Sequence, residues 1–167
     1  MNRLDSIATT FRCVLLAAGL CLGPAVAADD AAAPSHLSAQ RLDGRPVSLA
    51  DGKGRTALVI FWSPESLASR KSLPELQRFI DEGDRSQLFI LAVSTSGEPK
   101  KLESFLAGRA LNLPVALRGA DDFGAQTEWQ LPIVYVFDAA GRFVHRRAGL
   151  FNAKVLRALA VPEAKNQ

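Results

Sequence analysis

Cysteine is absent from the chain beyond position 21: Cys13 and Cys21 are its only two among 167 residues. Everything after Cys21 therefore lacks a thiol nucleophile, a thiolate metal ligand and any disulfide staple. Histidine is equally scarce, with His36 and His145 alone. No His/Cys cluster at ligand spacing exists, and Asp121-Asp122 reads as a turn pair, so neither metal nor cofactor is expected. The serines have no Gly-x-Ser-x-Gly elbow. His145 stands beside Arg146 and Arg147 in a surface strand pattern, and His36 precedes the fold, so a serine nucleophile has no evident base. Charge of one sign is also lacking. The net charge is +3, with basic residues in short pairs such as Arg70-Lys71 and Arg146-Arg147. These read as a solvated surface and exclude a nucleic-acid partner.

Apolar residues are well supplied. They make up 48% of the chain against 22% charged, enough for one core without staples. The first stretch stands apart from that core. Arg3 and Arg12 make it basic, Val14 to Leu22 is a short apolar run, and Ala25-Val26-Ala27 supplies small residues before Ala28-Asp29-Asp30. This is a secretory signal pattern over residues 1–27, cleaved near Ala27. It falls short of the roughly 20 residues of a comfortable membrane span. A retained anchor and a lipid-modified Cys21 are the alternatives, and Leu20 before Cys21 argues against the second. The expected organisation is a flexible leader over 28–36, a domain over 37–160 and a tail over 161–167. The mature chain would be periplasmic or secreted, without a membrane span and without cysteine, in a compartment where disulfides persist.

Within the domain, turn signals at Asp43-Gly44 and Asp51-Gly52 flank Pro46 to Leu49, which predicts a hairpin with Leu37 to Leu42 as its first arm. Ala57 to Phe61 reads as a strand buried on both faces. Leu67 to Glu82 reads as a helix with Leu73, Leu76 and Ile80 on one face, kinked at Pro74. Leu88 to Val93 is a second buried strand. Glu98-Pro99 opens a helix carrying Leu102, Phe105 and Leu106, and Val115 to Leu117 is a short strand. Asp121 to Glu128 allows one or two helical turns. Ile133 to Phe137 and Phe143 to Arg147 form an antiparallel hairpin around Ala140-Gly141. Asn152 caps a last helix with Val155, Leu156 and Leu159 inward. This order predicts an α/β domain, a central sheet with helices on both faces.

Two segments carry a resemblance. Phe61-Trp62-Ser63-Pro64-Glu65-Ser66-Leu67-Ala68-Ser69-Arg70, with Pro74 and Leu76 beyond, aligns without a gap to Phe-Trp-Ala-x-Trp-Cys-x-x-Cys-Arg followed by its proline and leucine. Pro132-Ile133-Val134-Tyr135-Val136-Phe137-Asp138-Ala139-Ala140-Gly141 is similar to Pro-Thr-Thr-Phe-Leu-Ile-Asp-x-x-Gly. Both belong to the exported thioredoxin-like proteins of the TlpA/ResA type, which are thiol–disulfide oxidoreductases. The resemblance runs from about Leu37 to Leu159. It implies a thioredoxin-like fold, a central mixed sheet flanked by helices with an N-terminal β-hairpin extension.

In this register Ser66 and Ser69 occupy the two cysteine positions and Glu65 replaces a tryptophan. A second register would place Ser63 and Ser66 there, at the loss of Arg70 and the spacing to Pro74. In either register no catalytic residue remains, because a serine hydroxyl cannot perform thiol–disulfide exchange. Ser66 is then the N-cap of the helix. The resemblance further implies a cis bond at Leu131-Pro132, where the alternative is a trans proline opening an edge strand. It also implies a groove that holds an extended peptide, with Trp62, Glu65, Trp129, Leu131 and Pro132 as contacts. Trp62 has an equally good reading as a core residue. The expected function is a non-catalytic binding, chaperone or scaffold protein for an exported client. The alternative is a part in a disulfide-reducing pathway with a redox-active partner.

Overall fold

The run Ala57-Leu58-Val59-Ile60-Phe61-Trp62 has no polar residue, and only a strand covered on both faces can hide all of it. In the computed structural model, which describes residues 36–119 and 130–161, that run is strand β3, Thr56–Trp62, with residues 57 to 62 all buried. The preceding hairpin is β1, Ala39–Arg41, and β2, Pro46–Val47. It is shorter than its sequence pattern, because Ser48 leaves the strand to start a 3-10 turn over Leu49–Gly52. There the Ser48 N–H donates to the Asp51 carboxylate at 2.7 Å. Strand β4 is Leu88–Ser94, β5 Val115–Arg118, β6 Ile133–Phe137 and β7 Phe143–Ala148. The helices are α1, Leu67–Glu82; α2, Pro99–Ala107; and α3, Ala153–Ala160.

The strands form one mixed sheet in the order β2-β1-β5-β4-β3-β6-β7. β3 runs parallel to β4 and antiparallel to β6, with Ile60 paired to both Ala92 and Val134. The period-two alternation of strand side chains divides the core. Leu58, Ile60 and Trp62 join one cluster with Leu76 of α1, Leu102 of α2 and Leu156 of α3. Ala57, Val59 and Phe61 join the other with Leu91, Val93, Tyr135 and Phe137. Aromatic edges knit the second cluster, Phe61 meeting Tyr135 at 5.7 Å between ring centres.

The described helices cover one face of the sheet, and the segment joining β5 to β6, which bears on the expectation for the other face, lies outside the described residues. Among the described residues all three helices bury side chains in the same cluster. The chain steps from β3 to β4 to β5 in one direction, and right-handed crossovers taken in one direction put their helices on one side. The short helical turns expected over 121–128 lie outside the described residues, as do residues 1–35 and 162–167. Among the described residues no helix is long and apolar enough to cross a membrane.

Helix α1 begins where the sequence places it. Ser66 has extended backbone and its Oγ accepts the Ser69 N–H at 3.2 Å, satisfying a donor that the first helical turn leaves unpaired. Pro74 sits inside α1 and has no N–H to offer the Arg70 carbonyl one turn back. Two α1 side chains then hold the start of α3. The Phe151 N–H donates to Ser72 Oγ at 3.2 Å, and the Ala153 N–H donates to Glu75 Oε2 at 3.1 Å.

Candidate functional site

The loop from β3 to α1, Ser63-Pro64-Glu65-Ser66, sits where the C-terminal ends of β3 and β4 meet the start of α1. Four serines, Ser63, Ser69, Ser72 and Ser94, are the buried polar side chains of the described core. All four come from this end of β3 and β4 or from the first turns of α1. Burial of a hydroxyl is tolerated when it is hydrogen-bonded, and here the partners are local. Ser69 is fully buried, and its Oγ accepts the Ser63 N–H at 3.4 Å. Ser94 donates to the Ser96 carbonyl at 2.5 Å.

Ser66 joins this loop to the segment before β6. Besides accepting the Ser69 N–H, its hydroxyl donates to the Leu131 carbonyl at 3.2 Å. The Leu131-Pro132 bond is cis, as the resemblance implied. Pro132 is buried and Leu131 half-buried. The Pro132 carbonyl in turn accepts the Gly149 N–H at 2.8 Å, so the connection from β7 to α3 closes on the same proline. Leu67 beside Ser66 is 58% exposed and Leu150 beside Gly149 is 55% exposed. Leu67 thus leaves apolar surface beside the Ser66–Leu131 contact, and Leu150 beside the Gly149–Pro132 one.

Glu65 is exposed yet held. Its Oε2 accepts the Ser63 hydroxyl, and the Ser96 hydroxyl at 2.5 Å. The Glu65 N–H donates back to Ser63 Oγ at 3.1 Å. The hydroxyls of Ser63 and then Ser96 hold the carboxyl below the usual carboxylate range, since donors to a carboxylate favour its charged form. The glutamate thus ties the β3–α1 loop to the residues just after β4.

The sequence-predicted site residues separate into groups. Ser66 meets Leu131, the residue before cis-Pro132, whereas the neighbouring Glu65 turns its carboxylate to Ser63 and Ser96. Trp62 does not join them as a contact: it is fully buried and lies 5.7 Å from Phe105 between ring centres. Its position at the inward-facing end of β3 makes it core, which corrects its assignment to the groove. Trp129 lies outside the described residues. Ser94, Ser96, Leu67 and Leu150 were not singled out from sequence. The polar Ser94 ending a buried strand was the available signal for the first pair.

Thiol-free chemistry at Ser66 would need a base, and His145 is not one. His145 pairs with Val136, which pairs with Leu58, whereas Ser66 lies beyond Trp62 at the far end of β3. Four residues of strand alone separate the levels by about 13 Å. His145 instead lines a cavity of about 470 Å³ at the opposite end of the sheet, with Thr56, Val144 and Leu159. Among the described residues no group of three or more His, Cys, Asp or Glu is placed to hold a metal ion.

The AhpC/TSA family profile matches residues 29–146. The chain belongs to the AhpC/TSA family. Its AhpC/TSA fold is also found in solved structures of low identity. StoA from Bacillus subtilis superposes with a TM-score of 0.62 at 20% identity, covering 77% of this chain and 98% of its own. A secreted thiol-disulfide isomerase from Corynebacterium glutamicum gives 0.66 at 16% identity, covering 77% and 83%. The exposed lipoprotein thioredoxin Etrx1 from Streptococcus pneumoniae gives 0.58 at 20% identity, covering 74% and 97%. No curated protein matches the sequence. These likenesses establish a thioredoxin-like fold for this AhpC/TSA member.

Proposed function

We propose that this chain is an exported, TlpA/ResA-like protein that binds an extended client segment and has no thiol chemistry of its own. The observation that carries the reading is the occupancy of one place in the fold by serine. Ser66 caps α1 and touches the residue before cis-Pro132, and Ser69 is buried one turn in. In this reading they stand at the two positions where the family's enzymes carry cysteine. The Ser63/Ser66 register fits less well, because Ser63 precedes the cap and does not belong to α1.

What survives without sulfur is a recognition surface. Leu67, Leu131 and Leu150 offer apolar area beside Pro132, and exposed apolar area of this kind is where partners dock. An extended segment laid along it would be an exported protein in the periplasm or outside the cell, in keeping with the signal pattern of residues 1–27.

A second reading, participation in a disulfide-reducing pathway with a redox-active partner, draws on the fold neighbours being described as disulfide oxidoreductases and isomerases. The two differ in the surface they need. The test is anisotropy of fluorescein-labelled, carboxymethylated lactalbumin, which is permanently unfolded and has no free thiol. The binding reading expects saturable association that Leu131→Asp weakens at least tenfold. Absence of association, or indifference to Leu131→Asp, would remove it.

A further inference from the structure

Glu65 presents more than a clasp requires. Ser63 and Ser96 occupy Oε2 alone, while a carboxylate accepts about four hydrogen bonds over its two oxygens. An amide oxygen would receive the same two hydroxyls, so what glutamate adds to the clasp is charge. That charge is not neutralised within the described residues. Their ion pairs use Asp43, Glu75, Glu82, Glu98 and Asp138, and no cation contributes to the lowering of the Glu65 pKa.

The position of this charge is fixed. Glu65 immediately precedes Ser66, whose hydroxyl touches the Leu131 carbonyl, and Leu67 follows. The carboxylate therefore stands on the β4 side of the start of α1, across Ser66 from the Leu131 carbonyl. Hydroxyl bonds from two separate loops restrict its rotamers, so less side-chain entropy remains to be lost when a partner binds.

We propose that Glu65 selects clients, and that the segment bound beside cis-Pro132 carries a lysine or arginine which pairs with its free Oε1. The inference rests on the peptide-binding reading above and names the chemistry of the partner. A long basic side chain suits the place, because its methylene stem lies on leucine while its head reaches the carboxylate. Complementary charge at the rim of an apolar surface sets partner choice and encounter rate more than total affinity. A carboxylate near the start of α1 also interacts favourably with the helix dipole, but that role concerns stability and makes no distinction among peptides.

Three fluorescein-labelled peptides of one Ala/Val/Leu-based sequence, differing at a central Lys, Gln or Glu, separate these roles. With the unsubstituted protein at low salt, the Lys peptide is expected to bind about two- to fivefold more tightly than the Gln peptide, the range of an exposed ion pair. The Glu peptide should bind more weakly than either. Glu65→Gln, which keeps an acceptor for both serines, should bring the three affinities together. Ser96→Ala, which frees the carboxylate on one side, should reduce the Lys preference without abolishing it. Equal binding of all three peptides to the unsubstituted protein overturns the selection by Glu65 and leaves the groove standing. A Lys preference that persists in Glu65→Gln overturns it as well. Binding of none of the peptides removes the groove and this inference together.

Discussion

Ser66 and Leu131 are 65 residues apart in sequence, and the hydroxyl of the first donates to the carbonyl of the second at 3.2 Å while capping α1. One oxygen therefore serves the helix start and the segment leading into β6. Ser66→Ala removes both bonds. We expect a loss of about 1–2 kcal/mol, the range of a lost N-cap, read as a lower urea midpoint with an unchanged slope. Ser66→Thr keeps the hydroxyl and should recover most of the loss.

Core and rim leucines should behave oppositely. Leu76 is fully buried on the helix-covered face, and Leu76→Ala should cost about 2–5 kcal/mol. Leu67→Ser and Leu150→Ser, at exposed positions, should change stability by less than about 0.5 kcal/mol. The same two substitutions should weaken association with carboxymethylated lactalbumin. Urea unfolding and anisotropy on the same three variants give both results.

The Glu65 carboxyl also predicts a pH dependence. Hydrogen bonds from Ser63 and Ser96 lower its folded pKa from 4.5. The folded state thus holds the charged form more strongly than the unfolded chain does. The resulting stabilisation is complete above the unfolded value and is lost as pH falls through the lowered folded one. Glu65→Gln should therefore show a shallower decline of the urea midpoint below pH 4.5 than the unsubstituted protein. Parallel curves would mean that the serines do not favour the charged form.

Ser72 supplies a test of how α3 is attached. Its buried hydroxyl accepts the Phe151 N–H. Ser72→Ala leaves that N–H without its partner, at a cost of about 1–3 kcal/mol. Amide hydrogen exchange in Ala153–Ala160 should accelerate more than exchange in β3 and β4. A uniform change across the protein would place α3 in the same cooperative unit as the sheet.

Much of the fold was legible because its signals are local. The apolar run of β3 has one burial solution, Pro99 marks the first position of α2, and α1 spans Leu67–Glu82 as its apolar spacing indicates. The hairpin was overextended because the Ser48–Asp51 interaction competes with strand pairing from inside the same few residues. That α1 and α2 share one face follows from the order of β3, β4 and β5, which periodicity does not encode. At the site, Ser66 was readable as a cap, and Leu131-Pro132 through resemblance. The Glu65 clasp was not, because Ser96 is 31 residues away and no spacing rule joins them. Trp62 kept two readings, groove contact and core, because an aromatic beside a functional loop looks the same in sequence whether it faces solvent or the core.

Disulfide reduction bears most directly on the central claim. Purified residues 28–167 and their Ser66→Cys/Ser69→Cys counterpart are assayed for insulin reduction with dithiothreitol as the electron source. The account predicts turnover equal to buffer for the first. For the second it predicts an intramolecular disulfide, seen as a loss of about two mass units, and turnover above buffer. Turnover by the unsubstituted protein, or a double variant that does not form the bond, would contradict it.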